Sequence, residues 1–277
     1  RLHEELTKTF IDKRASILAR GLKQDMNFET KILENNDVII DNQFIGKING
    51  LKLELDLKKG ALETDIKSLK KAARQTIGPE LEKRIQLIID TGLIELKDDF
   101  KIYWCNFAIG KLVLGRDYLN PNLELIVDDI IEQNSRQRLN NFIHKWLNDK
   151  INNVLKSLID LKNIKENNSS IKALAYQLYE NNGVLKRNEI DNIVKLIPAI
   201  ERKKLWGMGI KIGRYHIYLP KMLKPKAVEF RISLWKIFHN LPSKEDIPKS
   251  GLNFINNNRY EKNFLLLCGF EKFKEYF

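Results

Sequence analysis

The residues best suited to chemistry lie in one basic stretch near the carboxyl end, from Glu201 to His239. This stretch holds ten lysines and arginines and only two acidic residues, Glu201 and Glu229. Cationic side chains bind phosphate oxygens, and aromatic rings placed between them can stack on bases. The stretch therefore predicts binding to nucleic acid. The alternative is a helix and a strand whose lysines simply face water.

The predicted phosphate contacts are the basic residues that come first in the stretch: Arg202, Lys203, Lys204, Lys211, Arg214, Lys221 and Lys224. Tyr215, Tyr218 and Trp206 are candidates for stacking on bases, and a place in the core is the alternative for each ring. His216 follows Arg214 closely and is a further candidate for facing a phosphate.

No stretch of the sequence matches a catalytic or metal-binding motif. Gly46-Lys47 and Gly110-Lys111 lack the upstream glycine and the following Ser or Thr of a phosphate-binding loop. A turn explains Asp98-Asp99, and a helix amino terminus explains Asp128-Asp129, without a metal ion. The histidines are scattered, and no Cys/His cluster or nucleophile elbow is present. We expect no catalytic residue, metal or cofactor in this chain.

Composition limits the class of protein. The chain has 277 residues, 43% of them hydrophobic, and a net charge of +12, which suits a folded protein with a polyanionic partner. Its two cysteines, Cys105 and Cys268, are far apart, and no signal peptide or membrane-spanning run is present. A cytoplasmic location and no membrane partner are predicted. Because the chain begins at Arg1 inside an amphipathic pattern, we also expect a fragment of a longer protein.

Hydrophobic periodicity predicts an α+β fold that is mostly helical. A helix is expected over residues 1–22, two or three strands from Ile32 to Asp56, and a helix over 61–77. Gly78-Pro79 should end that helix and begin another through Asp90. Further strands are expected over 93–115 and a long helix over 127–163.

The two β segments resemble each other. Each follows a helix and contains a turn, a strand, a small turn and a second strand. An aromatic residue precedes Ile-Gly-Lys closely in both, within Phe44–Lys47 and Phe107–Lys111. A duplicated unit of a helix and a β-hairpin is the economical interpretation.

The carboxyl-terminal part is predicted to be helical. After a linker from Lys162 to Ser170, with Ser169 or Ser170 as helix cap, helices are expected over 171–182, 187–197 and 199–206. A strand pair follows and then a helix over 226–239. Three short helices and a strand pair are the order of a winged helix-turn-helix. The predicted domains are residues 1–125, a long helix and linker at 126–168, and 169–277.

The block from Gly183 to Trp235 resembles the carboxyl-terminal region of alphaproteobacterial superfamily 2 helicases related to the RNA helicase of the mitochondrial degradosome. The matching positions are Gly183, Leu185, Arg187, Arg202, Gly209, Gly213, Leu219, Pro220, Leu223, Lys224, Pro225, Ala227, Leu234 and Trp235. A weaker upstream pattern is similar at Gly110, Lys111, Leu112, Gly115, Asp117, Leu119 and Pro121. Met222 departs from the family's usual Leu.

The resemblance implies an accessory region of an ATP-dependent helicase, with the ATP- and Mg-dependent motor upstream of this chain. Its implied partners are nucleic acid, above all single-stranded RNA, and the upstream helicase core. Two alternatives remain open. The first is a scaffold that docks a nuclease or another protein subunit. The second is a free-standing RNA-associated protein.

Overall fold

A computed structural model describes residues 29–56, 63–242, 253–256 and 259–271 of the chain. Helices and separate β-sheets make the protein α+β, as the sequence predicted. The helix predicted over residues 1–22 lies outside the described residues. The described helices are α1 (Glu63–Thr91), α2 (Gln133–Val154), α3 (Lys156–Lys162), α4 (Ser169–Glu180), α5 (Arg187–Lys195), α6 (Ala199–Gly207), α7 (Pro225–Phe238) and α8 (Lys262–Leu267).

The strands form three sheets. The first has the order β1 (Thr30–Ile32), β2 (Asp37–Ile40), β3 (Gln43–Asn49), β4 (Lys52–Leu55). The second has the order β5 (Ile94–Leu96), β6 (Lys101–Trp104), β7 (Phe107–Asp117), β8 (Asn120–Leu125). In the third, β11 (His216–Tyr218) lies between β10 (Lys211–Ile212) and β9 (Val184–Lys186).

The described residues divide into two compact units. Residues 29–112 and 123–145 belong to the first unit, and Val113–Asn122 belongs to the second with the residues from Trp146 onward. The predicted boundaries, after residues 125 and 168, differ from these limits. Sequence order does not reveal that the tip of the β7–β8 hairpin belongs to the second unit, or that α2 is divided between the two.

The two four-stranded sheets share more than their strand order. The pairing of β2 with β3 shifts register between Val38 and Ile39, and that of β6 with β7 shifts between Ile102 and Tyr103. Each shift follows the second residue of its strand. Alternate side chains such as Val38, Ile45 and Ile102 are fully buried, which fixes the inner face of each sheet. The sheets thus have the same bulge position, while a duplicated origin stays a prediction.

Helix α1 continues through Pro79, where the sequence predicted a break. A proline removes one helical hydrogen bond, and it restricts the preceding residue mainly through that residue's Cβ. Gly78 has no Cβ, so this restriction is weak. Ile77, Leu81 and Ile85 follow helical spacing on both sides of the proline and are fully buried. Packing of this stripe outweighs the lost hydrogen bond, and the predicted two-helix division was wrong.

The long helix predicted over 127–163 begins later and is interrupted. The Asp128 carboxylate accepts hydrogen bonds from the backbone N–H groups of Leu53, at 3.0 Å, and Ile130, at 3.1 Å. These bonds hold the chain in a turn, which competes with helix at that position. Leu155 is non-helical and separates α2 from α3.

The second unit contains a compact run of elements in the order α4, β9, α5, α6, β10, β11. Strand β9 was not predicted from the sequence. It pairs antiparallel with β11 and connects the hairpin to the start of α5. The cap of α4 is Asn168, not Ser169 or Ser170, because its side chain accepts from Ser170 N–H at 2.8 Å. Helices α7 and α8 follow and share an apolar cluster.

Candidate nucleic-acid interface

Helix α6 presents most of its surface to solvent. It begins after Pro198, and Glu201 in its first turn suits the positive end of the helix dipole. Leu205 alone among its residues is buried, whereas Ile200 is 86% exposed and Trp206 is 67% exposed. Because Leu205 is the one buried residue of the helix, most of the helix surface faces solvent.

Polar contacts fix which side of α6 faces inward. The Asn168 side chain donates to Glu201, and Lys204 Nζ lies 3.4 Å from a carboxylate oxygen of Glu166. Arg202 Nε donates to the Ile197 carbonyl at 3.2 Å. Lys204 is therefore partly neutralised, while Lys203 is exposed.

The β10–β11 hairpin ends in a tight turn that carries Arg214 and Tyr215. The Gly213 N–H donates to the His216 carbonyl at 2.7 Å and closes the turn. Ile217 of β11 is fully buried, so one face of the hairpin packs against the core of the unit. Arg214 lies 5.4 Å from the centroid of the Tyr215 ring, which is 63% exposed. The turn thus offers an aromatic face beside a cation.

The hairpin also approaches α6. Lys211 Nζ lies 4.7 Å from the centroid of the Trp206 ring. Lys203 precedes Trp206 by three residues, so the two side chains are neighbours on the helix surface. We call the resulting surface the α6–turn surface, and it consists of Arg202, Lys203, Trp206, Lys211, Arg214 and Tyr215.

Helix α5 holds the turn in place. The Arg187 backbone N–H donates to the Tyr215 carbonyl at 2.8 Å, and its guanidinium donates to the Gly213 carbonyl at 3.0 Å. The same guanidinium lies 3.3 Å from the Asp191 carboxylate. These bonds attach both sides of the turn to the start of α5, so the backbone that carries Tyr215 is held in place.

A cleft of about 620 Å³ lies beside this turn. Its lining residues are Lys186, Arg187, Asn188, Asp191, Arg214, Tyr215 and Glu271. Hydrogen bonds from Lys195 and Arg187 lower the pKa of the Asp191 carboxyl. Glu271 lies 3.3 Å from His216 Nδ1. The cleft combines cations, carboxylates, an amide and one aromatic wall.

The other predicted contacts lie elsewhere. Lys221 and Lys224 are exposed, but they follow β11 at the end opposite the turn. Arg231 and Lys236, which were counted in the basic stretch, are buried in α7. Tyr218 is half-buried, and His216 faces Glu271. Among the predicted residues, the structure joins Lys211 to Trp206 and Arg214 to Tyr215. Arg202 and Lys203 are exposed on α6, and Lys204 faces Glu166.

Sequence reasoning missed the cleft as a site. Asn188, Asp191 and Glu271 were not singled out, and Arg187 was noted only for its place in the resemblance. The predicted start of a helix at residue 187 was the available signal for Arg187 and Asn188. Nothing near Glu271 in the sequence indicates that it meets the turn, because that contact joins residues 216 and 271.

A second cleft, of about 800 Å³, lies in the first unit. Ser135 donates to the Glu82 carboxylate there, and Arg138 lies at its edge. Within the described parts of the chain, no three His, Cys, Asp or Glu side chains are placed to hold a metal ion.

Comparisons with known proteins add no relative. No protein family, curated protein or solved structure matches this chain significantly. Among the helices of the described residues, none combines the length and the apolar character needed to span a bilayer. The resemblance to the helicase region stays a prediction.

Proposed function

We propose that residues 169–219 form a winged-helix module that binds nucleic acid through the α6–turn surface. The order of three helices and three strands supports this, because α6 takes the place of the recognition helix and the β10–β11 turn that of the wing. The proposed setting is the accessory, carboxyl-terminal region of an ATP-dependent RNA helicase, which rests on the resemblance at Gly183–Trp235.

The observation that carries the proposal is that two exposed aromatic rings, Trp206 of α6 and Tyr215 of the turn, each lie against an exposed cation. Lys211 contacts Trp206, and Arg214 contacts Tyr215, while both rings stay largely exposed. Exposed rings beside cations suit a strand with accessible bases, because the rings stack on bases and the cations bind phosphates. Single-stranded RNA is the proposed ligand, and ATP and Mg belong to the proposed upstream motor.

Charge reversal on the surface tests this function. The variant K203E/R214E removes two phosphate contacts and adds two repulsive charges, so affinity for single-stranded RNA should fall by about tenfold or more at low salt. K83E/K111E makes the same change in net charge at exposed lysines of α1 and β7 and should bind almost as the parent does. Fluorescence anisotropy with labelled RNA measures both.

Equal losses in the two variants would show that only net charge matters and would refute a local site. The melting temperature of each variant serves as the folding control. It should stay near that of the parent, because all four residues are exposed.

Protein docking is the second candidate function. Leu196 is 70% exposed and Ile200 is 86% exposed, and these two large apolar side chains flank the turn between α5 and α6. Exposed apolar groups in proximity often mark protein contacts. Unchanged RNA binding in K203E/R214E, together with loss of the helicase core or a nuclease subunit from L196S/I200S, would favour docking.

A further inference from the structure

The cleft beside the β10–β11 turn has the chemistry of a pocket for one nucleotide. We propose that it holds a single unpaired nucleotide of the bound strand, with its base stacked on Tyr215, and that it prefers bases with an exocyclic amine. The proposal rests on the nucleic-acid-binding function above and names the ligand unit at that surface.

The turn that carries Tyr215, the proposed stacking residue, is held in place without a ligand. Two hydrogen bonds from Arg187, to the carbonyls of Gly213 and Tyr215, hold the turn from both sides. Tyr215 nevertheless leaves most of its ring exposed. Because the backbone of the turn is already held, less freedom is lost when an exposed ring on it stacks on a base, and a base in a duplex would have to leave its stack to reach the ring.

Cationic side chains at the rim of the cleft are placed to bind the phosphate of the nucleotide. Arg214 lies against the Tyr215 ring, and Lys186 precedes α5 on the same cleft wall. A base stacked on Tyr215 therefore places its phosphate near two positive side chains. Arg187 is already engaged by Asp191 and by the turn, so its role is to position Tyr215.

One carboxylate determines which base edge fits. Both oxygens of Asp191 are paired, with Arg187 and with Lys195. Glu271 also lines the cleft, and an ionised carboxylate only accepts hydrogen bonds. Exocyclic amines of cytosine, adenine and guanine donate, and carboxylates are known acceptors for the cytosine amine. Uracil presents a carbonyl oxygen where cytosine presents its amine, and this oxygen repels a carboxylate, while the one donor of that edge, N3–H, lies between two carbonyls. Cytidine should therefore bind in preference to uridine, which has the same ring size.

Binding of oligocytidine and oligouridine of equal length tests the preference. By fluorescence anisotropy at low salt, the parent protein should bind oligocytidine about fivefold more tightly. Glu271→Gln replaces an acceptor-only group with one that also donates, so this ratio should fall towards one. Tyr215→Ala should weaken oligocytidine binding about tenfold through lost stacking, while Tyr215→Phe should restore it.

The outcomes separate this inference from the proposed function. Equal affinity for both oligonucleotides, or an unchanged affinity in Tyr215→Ala, overturns the nucleotide pocket and leaves backbone binding intact. Failure of the parent protein to bind either oligonucleotide overturns the proposed function itself. Free cytidine monophosphate should compete only at far higher concentration, and displacement at equal concentration would assign the cleft to a free nucleotide.

Discussion

Arg231 is a buried charged residue that joins several elements of the second unit. Its guanidinium is buried in α7 and donates to three backbone carbonyls, those of Asn182, Met222 and Leu267. Burial lowers the pKa of Arg231 to about 10, so the side chain stays charged at neutral pH. One side chain thereby connects the end of α4, the 3-10 helix at Pro220–Leu223 and the end of α8.

Replacing Arg231 with Met should destabilise the protein strongly. The substitution leaves three carbonyls without their donor, and a lost partner in a buried site costs about 1–3 kcal/mol per group. We expect the free energy of unfolding to fall by about 3 kcal/mol or more in urea titrations. Lys226→Met, at an exposed position of the same helix, is the matched control and should change stability by less than about 0.5 kcal/mol.

The two cysteines should differ in reactivity and in their response to pH. Burial raises the pKa of the Cys268 thiol to about 12, while Cys105 is exposed. Because the thiolate is the reactive form, a maleimide at pH 8 should label Cys105 rapidly and Cys268 only after unfolding. Fast labelling of Cys268 in the Cys105→Ser variant would contradict this burial.

The same thiol makes stability depend on alkaline pH. Between about pH 9 and pH 12 the unfolded chain has lost this proton and the folded chain keeps it, so the unfolded state binds fewer protons. The contribution of Cys268 to the free energy of unfolding should therefore be complete below pH 9 and decline as pH rises to 12. Cys268→Ala should reduce the slope over that range in urea titrations.

At the scale of elements, the two bulged hairpins provide a matched pair of glycines. Gly46 and Gly110 occupy corresponding positions opposite Val38 and Ile102. A Cβ at Gly46 would lie 2.1 Å from the backbone oxygen of Glu54, whereas at Gly110 the nearest atom is the tip of the Leu123 side chain at 2.9 Å. Backbone cannot move aside as a side chain can.

Alanine at these two positions should therefore have unequal effects. We expect Gly46→Ala to lower the free energy of unfolding by about 2–3 kcal/mol and Gly110→Ala by less than about 1 kcal/mol. Urea titrations followed by circular dichroism measure both values. Equal losses would show that the close approach at Gly46 does not constrain β3.

Helix α1 shows both what local patterns predicted and where they failed. Local patterns predicted helices over 61–77 and from Pro79 to Asp90, and Glu63–Thr91 is helical in the structure. The break at Pro79 was wrong because a local rule cannot weigh packing on both sides of the proline. The three-residue strand β9 was missed because it is shorter than any reliable periodicity and exists through pairing with β11.

The candidate site was likewise predicted in part and missed in part. Charge and aromatic character marked Arg214 and Tyr215 as candidates, since both properties are read from the residue type alone, but the turn that carries them was not predicted. The cleft depends on Glu271, which lies far along the chain, and no spacing rule joins distant residues. The burial of Arg231 also could not be predicted from its charge. Nothing in the sequence distinguishes an arginine that donates hydrogen bonds to three carbonyls from an exposed arginine.

For the whole molecule, the net charge of +12 overstates the cations that a ligand can meet at one site. Arg231 and Lys236 are buried, and Lys204 faces Glu166. Arg187 is paired with Asp191. The α6–turn surface keeps four exposed cations, namely Arg202, Lys203, Lys211 and Arg214. A strand bound there would contact a small part of the total charge.

The dependence of binding on salt distinguishes local from global attraction. Each phosphate contact on a single strand contributes about −0.7 to the slope of log K against log salt, so four contacts predict a slope of about −3. Attraction by the whole excess charge would give about −8 by the same rule. Anisotropy titrations of single-stranded RNA across a salt series measure the slope.

K203E/R214E should reduce the magnitude of this slope by about half, since two of the four contacts are lost. A slope near zero, or one unchanged in this variant, would mean that the ligand is held somewhere other than the α6–turn surface.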